Sequence, residues 1–162
     1  MNKIEEYLRE HIQKYHHKKY WSWREKVINQ ECNCPILLRV FYLYKIKKSD
    51  AFNNASMGTY FSEGAFFKTP PNLPHGLYGI IISKNAIIGE NCTIFHQVTI
   101  GEGKGGAPRI GDNCYIGAGA KIIGNITVGN NVKIGANCVV VEDIPDNCTV
   151  VMEKPRIIRR NS

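Results

Sequence analysis

The sequence predicts a mainly β chain, a parallel β-helix of six-residue repeats behind a short N-terminal helical cap. Three observations carry this. From residue 82 a β-branched aliphatic residue recurs every six positions, a mostly small residue recurs at the fifth position of each hexad, and Asn, Gly or Asp recurs at the fourth.

The first positions are Ile82, Ile88, Ile94, Ile100, Ile110, Ile116, Ile122, Val128, Ile134 and Val140. No amphipathic helix has a period of six, whereas a short strand with one inward aliphatic residue and a following turn does. The fifth positions, Ala86, Cys92, Val98, Cys114, Ala120, Ile126, Val132, Cys138 and Ile144, suit a narrow interior. The fourth positions are Asn85, Asn91, Gln97, Asn113, Gly119, Asn125, Asn131, Asn137 and Asp143. Gly, Asn and Asp best tolerate positive φ, so each hexad is expected to turn there. Three faces per coil make a triangular prism of stacked strands about 4.8 Å apart. With the hexads at 82, 88 and 94 on successive faces, the third face collects the hexads at 94, 116 and 134. The spacing leaves the handedness open.

The phase breaks between Ile100 and Ile110, so residues 101–109, with four glycines and a proline, are expected to loop out. Ile144-Pro-Asp-Asn-Cys148 restores an Asn-Cys pair in a shifted frame. Upstream of residue 82, stretches starting at Gly64, Pro70 and Gly76 read as degenerate hexads. The expected division is a helical cap over residues 1–56 and a β-helix over 57–162 ending in a basic tail.

In the cap, Ile4, Leu8, Ile12 and Tyr15 fall at helical spacing, and Pro35 can open a further helix through ILLRVFYLYKIKK. The simplest reading is a hydrophobic lid on the first coil; trimer contact or peripheral association with a membrane surface is the functional alternative. The longest apolar stretch, 35–44, contains Arg39 and is far short of the roughly 20 residues of a membrane span. The charged N-terminus shows no signal peptide, so a cytoplasmic protein is expected. Four of six cysteines follow an asparagine at one repeated slot, which reads as free structural thiols rather than disulfides. The net charge of +7 is concentrated at the two ends, with 11 Lys+Arg against 6 Asp+Glu in residues 1–50. Such a surface suits an anionic ligand, but no nucleic-acid-binding motif accompanies it.

His11, His16 and His17 lie in the cap and read as part of a basic face. His75 and His96 lie in the coil region. The third positions of the third face are His96, Ala118 and Ala136, expected in one row, with His75 one coil before His96. The inserted loop leaves the prism just after this face. Two histidines, a glycine-rich loop and an alanine-floored track therefore converge on a candidate groove for an extended ligand.

The stretches PHGLYGIIISKNAIIGEN, VTIGEGKGGAPRIGD, IGAGAKIIGNITVGNNVKIGANCVV and EKPRII resemble the serine acetyltransferase branch of the hexapeptide-repeat acyltransferases, over roughly residues 70–159. The resemblance implies a left-handed parallel β-helix, a homotrimer, and acetyl-CoA as co-substrate lying between adjacent subunits, with no metal. It implies His75 as the catalytic base. Ala118 and Ala136 would meet CoA through their backbones, Gly103 and Lys104 would approach it from the loop, and Arg156 and Arg159 would meet its nucleotide end. Two departures stand out. The His-Pro-Lys-Ile run of true serine acetyltransferases is here Ala107-Pro108-Arg109-Ile110, and no Asp partner for His75 is evident, Glu63 being the nearest carboxylate in sequence. In these respects the chain looks more like the small acetyltransferases of surface-polysaccharide loci. A saccharide hydroxyl is therefore the preferred acceptor, with serine, as in cysteine biosynthesis, as the alternative and a non-catalytic β-helix as a third reading. A γ-class carbonic anhydrase needs three zinc-binding histidines, and none follows His96. His75 would take the acceptor proton, and His96 would orient the acceptor or a water.

Overall fold

The computed structural model describes residues 10–154 and 156–158. Arg159 lies outside the described residues. Each hexad forms a two- or three-residue strand and a corner. The first face stacks Ser56–Met57, Ile81–Ile82, Thr99–Gly101, Lys121–Ile123 and Val139–Val140 in parallel. The second stacks Phe66–Phe67, Ile87–Ile88, Arg109–Ile110 and Thr127–Val128. The third stacks Thr93–Ile94, Tyr115–Ile116, Lys133–Ile134 and Thr149–Val150. The result is a left-handed parallel β-helix of about four turns. Ile94, Ile116 and Ile134 pair in register on one face, as the six-residue count requires. First-position side chains fill the axis: Ile88, Ile94, Ile100, Ile116 and Ile122 are fully buried. The small fifth positions Ala86, Cys92, Val98, Cys114 and Ala120 pack between them.

The three corners differ. Between the second and third faces the chain turns through Asn91, Asn113, Asn131 and Asn147, at φ 53 to 61°. Between the third and first it turns through Gly79, Gln97, Gly119 and Asn137, at φ 58 to 73°. Between the first and second, none of Asn85, Asn125 and Asp143 is left-handed, contrary to the fourth-position rule. This corner is also the one whose length varies: Ile82 to Ile88 and Ile122 to Val128 keep six residues, the 101–109 loop lengthens the path from Ile100 to Ile110, and Ile144 pairs with Val128 only four residues after Val140. Ile144 therefore takes a first-position slot rather than a fifth. Side-chain hydrogen bonds brace this corner: Asn85 N donates to Ser83 Oγ at 3.3 Å within the turn, and Thr127 N donates to Asp143 Oδ1 of the next coil at 2.7 Å.

The upstream frames also shift. Phe67 pairs with Ile88 and Asn72 with Thr93, so the early hexads start at Phe67 and Leu73, not at Gly64, Pro70 or Gly76. Gly79 packs on Gln97 and is its corner equivalent. Gly76-Leu77-Tyr78 is thus a three-residue insertion immediately after His75.

The cap comprises a helical stretch at 10–13, α1 (His17–Ile28) and α2 (Ile36–Phe52), the last capped by Pro35 as expected. Two of its arginines are buried. Arg24 donates from Nε to Thr59 Oγ1 and from Nη2 to Ala65 O, and its guanidinium lies against both the Trp21 and Phe67 rings, which touch each other edge to face. Arg39 donates to Lys26 O and Val27 O, the orphan carbonyls at the end of α1, and to Ser62 Oγ. These bonds fasten the helices to the first coil. No described helix is long and apolar enough to cross a membrane. All six cysteines are free.

Candidate active site

The register brings the two coil histidines together. Pairing of Asn72 with Thr93 sets Leu73 beside Ile94, and therefore His75 beside His96 two residues on. Their Nδ1 atoms are 2.6 Å apart and their ring centroids 4.7 Å. The Phe95 and His75 rings meet edge to face, with centroids 5.5 Å apart. At this separation only one Nδ1 can carry a proton, so one ring donates and the other accepts. Glu63 is not the partner of His75: both its carboxylate oxygens accept from Lys84 Nζ, at 3.0 and 3.1 Å.

The histidines sit in a cleft of about 640 Å3, lined by Ile12, Gln13, Phe52, Asn53, Pro74 and Tyr78 besides. The cap therefore forms one wall of the cleft and is more than a lid. Asn53 holds that wall in place. Its Nδ2 donates to Gln13 O and Ser49 O, and its own carbonyl accepts from Gly79 N at 2.9 Å. Phe52, Asn53 and Tyr78 were not singled out from sequence. The sequence held no local signal for them: the coil before Gly79 lacks the Ile-Gly pattern, and its frame, with Tyr78 in an insertion, emerges only from the pairing of Asn72 with Thr93.

From His96 the row continues along the prism. Gly119 N donates to His96 O, and Asn137 N donates to Ala118 O, so His96, Ala118 and Ala136 occupy the same corner in successive coils. Ala118 is half-buried and Ala136 exposed. The loop folds on itself: Gly103 and Gly106 exchange backbone hydrogen bonds, leaving Lys104 exposed at the tip. Its base lies against Gly124, whose N donates to Gly101 O. Ala107 is buried at the end of the loop. Arg156 is exposed in the tail. The Cys92 thiol is pushed up by its contact with the Cys114 thiol and by burial, so it is a poor nucleophile. Among the described residues no three His, Cys, Asp or Glu side chains cluster as metal ligands.

Residues 107–141 match the bacterial transferase hexapeptide (six repeats) family. Serine acetyltransferase of Synechococcus elongatus is 44% identical over 93 residues, covering 55% of this chain and 38% of that protein. Serine acetyltransferase of Helicobacter pylori is 42% identical over 94 residues, covering 55% and 54%. Among solved structures, serine acetyltransferase isoform 3 of Entamoeba histolytica in complex with cysteine superposes with TM-score 0.64 at 32% identity, covering 75% of this chain and 44% of that one. The Brucella abortus serine acetyltransferase in complex with coenzyme A gives 0.62 at 28% identity, covering 90% and 54%. The chain thus spans between about 38 and 54% of the length of these proteins. Their names favour the serine alternative over the surface-polysaccharide reading preferred from sequence. In its coils, its corner residues and its matched repeats, the chain carries the hexapeptide repeat of the bacterial transferase family over residues 107–141 and is similar beyond it to the repeat region of serine acetyltransferases.

Proposed function

We propose that this chain is an acetyl-CoA-dependent O-acetyltransferase of the serine acetyltransferase type, acting on a small hydroxylated acceptor, with serine the first acceptor to consider. The observation that carries the reading is the His75–His96 pair at the mouth of a cleft, 2.6 Å between Nδ1 atoms. Identity above 40% to proteins named serine acetyltransferase supports the acceptor, and superposition on a coenzyme A complex supports the donor.

A hydroxyl is a weak nucleophile until its proton leaves, and imidazole is the side chain suited to take it near neutral pH. When His75 Nδ1–H donates to His96 Nδ1, His75 Nε2 keeps its lone pair and serves as the base. His75 takes the acceptor proton as the oxygen bonds to the acetyl carbonyl carbon. The imidazolium so formed is held by His96, whose hydrogen bond becomes charge-assisted. The tetrahedral oxyanion can be met by backbone N–H groups of the groove. Its collapse breaks the carbon–sulfur bond, and His75 returns the proton to the departing thiolate, leaving an acetyl ester and free CoA. His96 thus does the work that a carboxylate does in an Asp–His pair. Ala118, Ala136, Gly103, Lys104 and Arg156 are proposed to bind acetyl-CoA along the row and loop, in a groove completed by a second subunit of a homotrimer.

A second reading, a neutral saccharide hydroxyl, is favoured by one observation: the described residues lining the cleft include no carboxylate, lysine or arginine. Serine brings both a carboxylate and an ammonium group. Steady-state kinetics with acetyl-CoA test both. His75→Ala is expected to lower kcat about 10²–10⁴-fold with near-normal acetyl-CoA affinity, and His96→Gln, which retains an acceptor, to lose much less. Loss of turnover in His96→Gln with most of it retained in His75→Ala would reverse the two roles. Turnover of a neutral sugar well above that of serine would select the second reading.

A further inference from the structure

The cap exposes an apolar stripe that the active-site reading does not use. Along α2, Leu37, Val40, Phe41 and Tyr44 are 81, 51, 49 and 58% exposed. At about 100° per residue these four occupy one sector of the helix, away from Arg39, Ile46 and Asp50, which are buried. The same sector continues toward the C-terminus with Lys45 and Lys48, whose ammonium groups lie 5.6 and 5.9 Å from the Phe41 and Tyr44 ring centroids. Those two lysines also wall a cleft of about 520 Å3, where Lys14 and Lys19 join them over Tyr20 and Trp23. Glu10 is the sole carboxylate among its described lining residues.

We propose that this face docks the protein on an anionic phospholipid bilayer. The stripe enters the boundary between headgroups and acyl chains, and the lysines of the cleft hold lipid phosphates. Charge selects this occupant. An apolar stripe alone would also suit a second copy of the chain, but a two-fold contact would bring two sets of Lys14, Lys19, Lys45 and Lys48 to one interface, with Glu10 the one carboxylate among the described residues lining each cleft. A bilayer with anionic lipid offers the complementary sign, and an amphipathic helix with lysines beside aromatic and aliphatic residues is the form that lies in such an interface. Tyr44 and Trp23 carry polar tips of the kind that settle at headgroup level.

Sedimentation of the full chain with vesicles tests this. Strong partitioning is expected on phosphatidylcholine containing about 30 mol % phosphatidylglycerol, and little on phosphatidylcholine alone. Lys45→Ala and Lys48→Ala are each expected to weaken partitioning about fivefold. Leu37→Asp with Phe41→Asp is expected to abolish it without changing the far-UV circular dichroism, both residues being exposed. Equal binding to the two vesicle types, no binding to either, or binding unchanged by the stripe substitutions would overturn the proposal. So would a fall in the mass of the lipid-free protein caused by the stripe substitutions, which would assign the face to a second copy.

Discussion

Asp50 is a carboxylate placed where charge is costly. It is 3% exposed, accepts a 2.7 Å hydrogen bond from Tyr20 Oη, and has no hydrogen-bond partner for Oδ2 among the described residues. Burial raises its pKa from 3.8 to about 6, against the opposing effects of the Tyr20 hydrogen bond and of Lys47 and Arg24. The native state therefore binds this proton more tightly than the unfolded chain does. Ionisation of Asp50 costs stability as pH rises from about 4 to about 6, and the full cost, about 3 kcal/mol, is present above that. Asp50→Asn removes the titration and keeps an acceptor for Tyr20. The variant is expected to melt about 5–10 °C above the parent at pH 7, with the gap closing toward pH 4. A gap independent of pH would show that Asp50 is not the group that titrates. The same burial is why sequence did not single out Asp50, Arg24 or Arg39: a charged residue in a lysine-rich helix reads as solvated until the packing partner is known.

At the scale of the element, the 101–109 loop is a separable addition to the coil. Ile100 and Ile110 occupy first positions on successive faces although ten residues apart. The surplus over a hexad is four residues, the length of the Gly103–Gly106 turn that closes on itself. Deleting Gly103–Gly106 is therefore expected to restore the six-residue frame and leave the melting temperature within about 5 °C. Acetyl-CoA affinity by calorimetry is expected to fall about tenfold or more, the scale of a lost charge-assisted contact from Lys104. Unchanged affinity would remove the loop from the binding surface. The loop's position was legible in the sequence because the phase break marks it. The insertion at Gly76-Leu77-Tyr78 was not, because the flanking hexads begin with Phe67 and Leu73 and lack the Ile-Gly signature that sets the frame downstream.

For the whole molecule, the prism faces remain partly apolar on the outside. Ile81, Tyr115, Val139 and Val141 are 42, 44, 66 and 65% exposed. Apolar residues on a flat, regular face suit packing against further copies, and the proposed homotrimer would cover them while completing the groove beside His96. Light scattering is expected to give three times 18.3 kDa. Val139→Asp is expected to lower the mass and the turnover together if the groove is shared as proposed. A monomer at micromolar concentration with full turnover would exclude the shared groove.

The sequence by itself determined the coil. A period of six with β-branched residues inward admits one local structure, and between Ile82 and Val140 counting in sixes, with the 101–109 loop set aside, yields the face on which each first-position residue lies, including the shared corner of His96, Ala118 and Ala136. It also limited the chemistry, because only His75 and His96 carry imidazoles outside the cap. Tertiary structure alone decided what those histidines meet. The 2.6 Å contact depends on an irregular upstream coil whose frame is visible only through its pairing with Thr93 and Ile88. The cleft wall of Phe52 and Asn53 depends on where α2 ends against Gly79. Periodic signals survive in sequence because every repeat restates them. Contacts between a cap and a coil are made once, between residues far apart in the chain, and no local pattern records them.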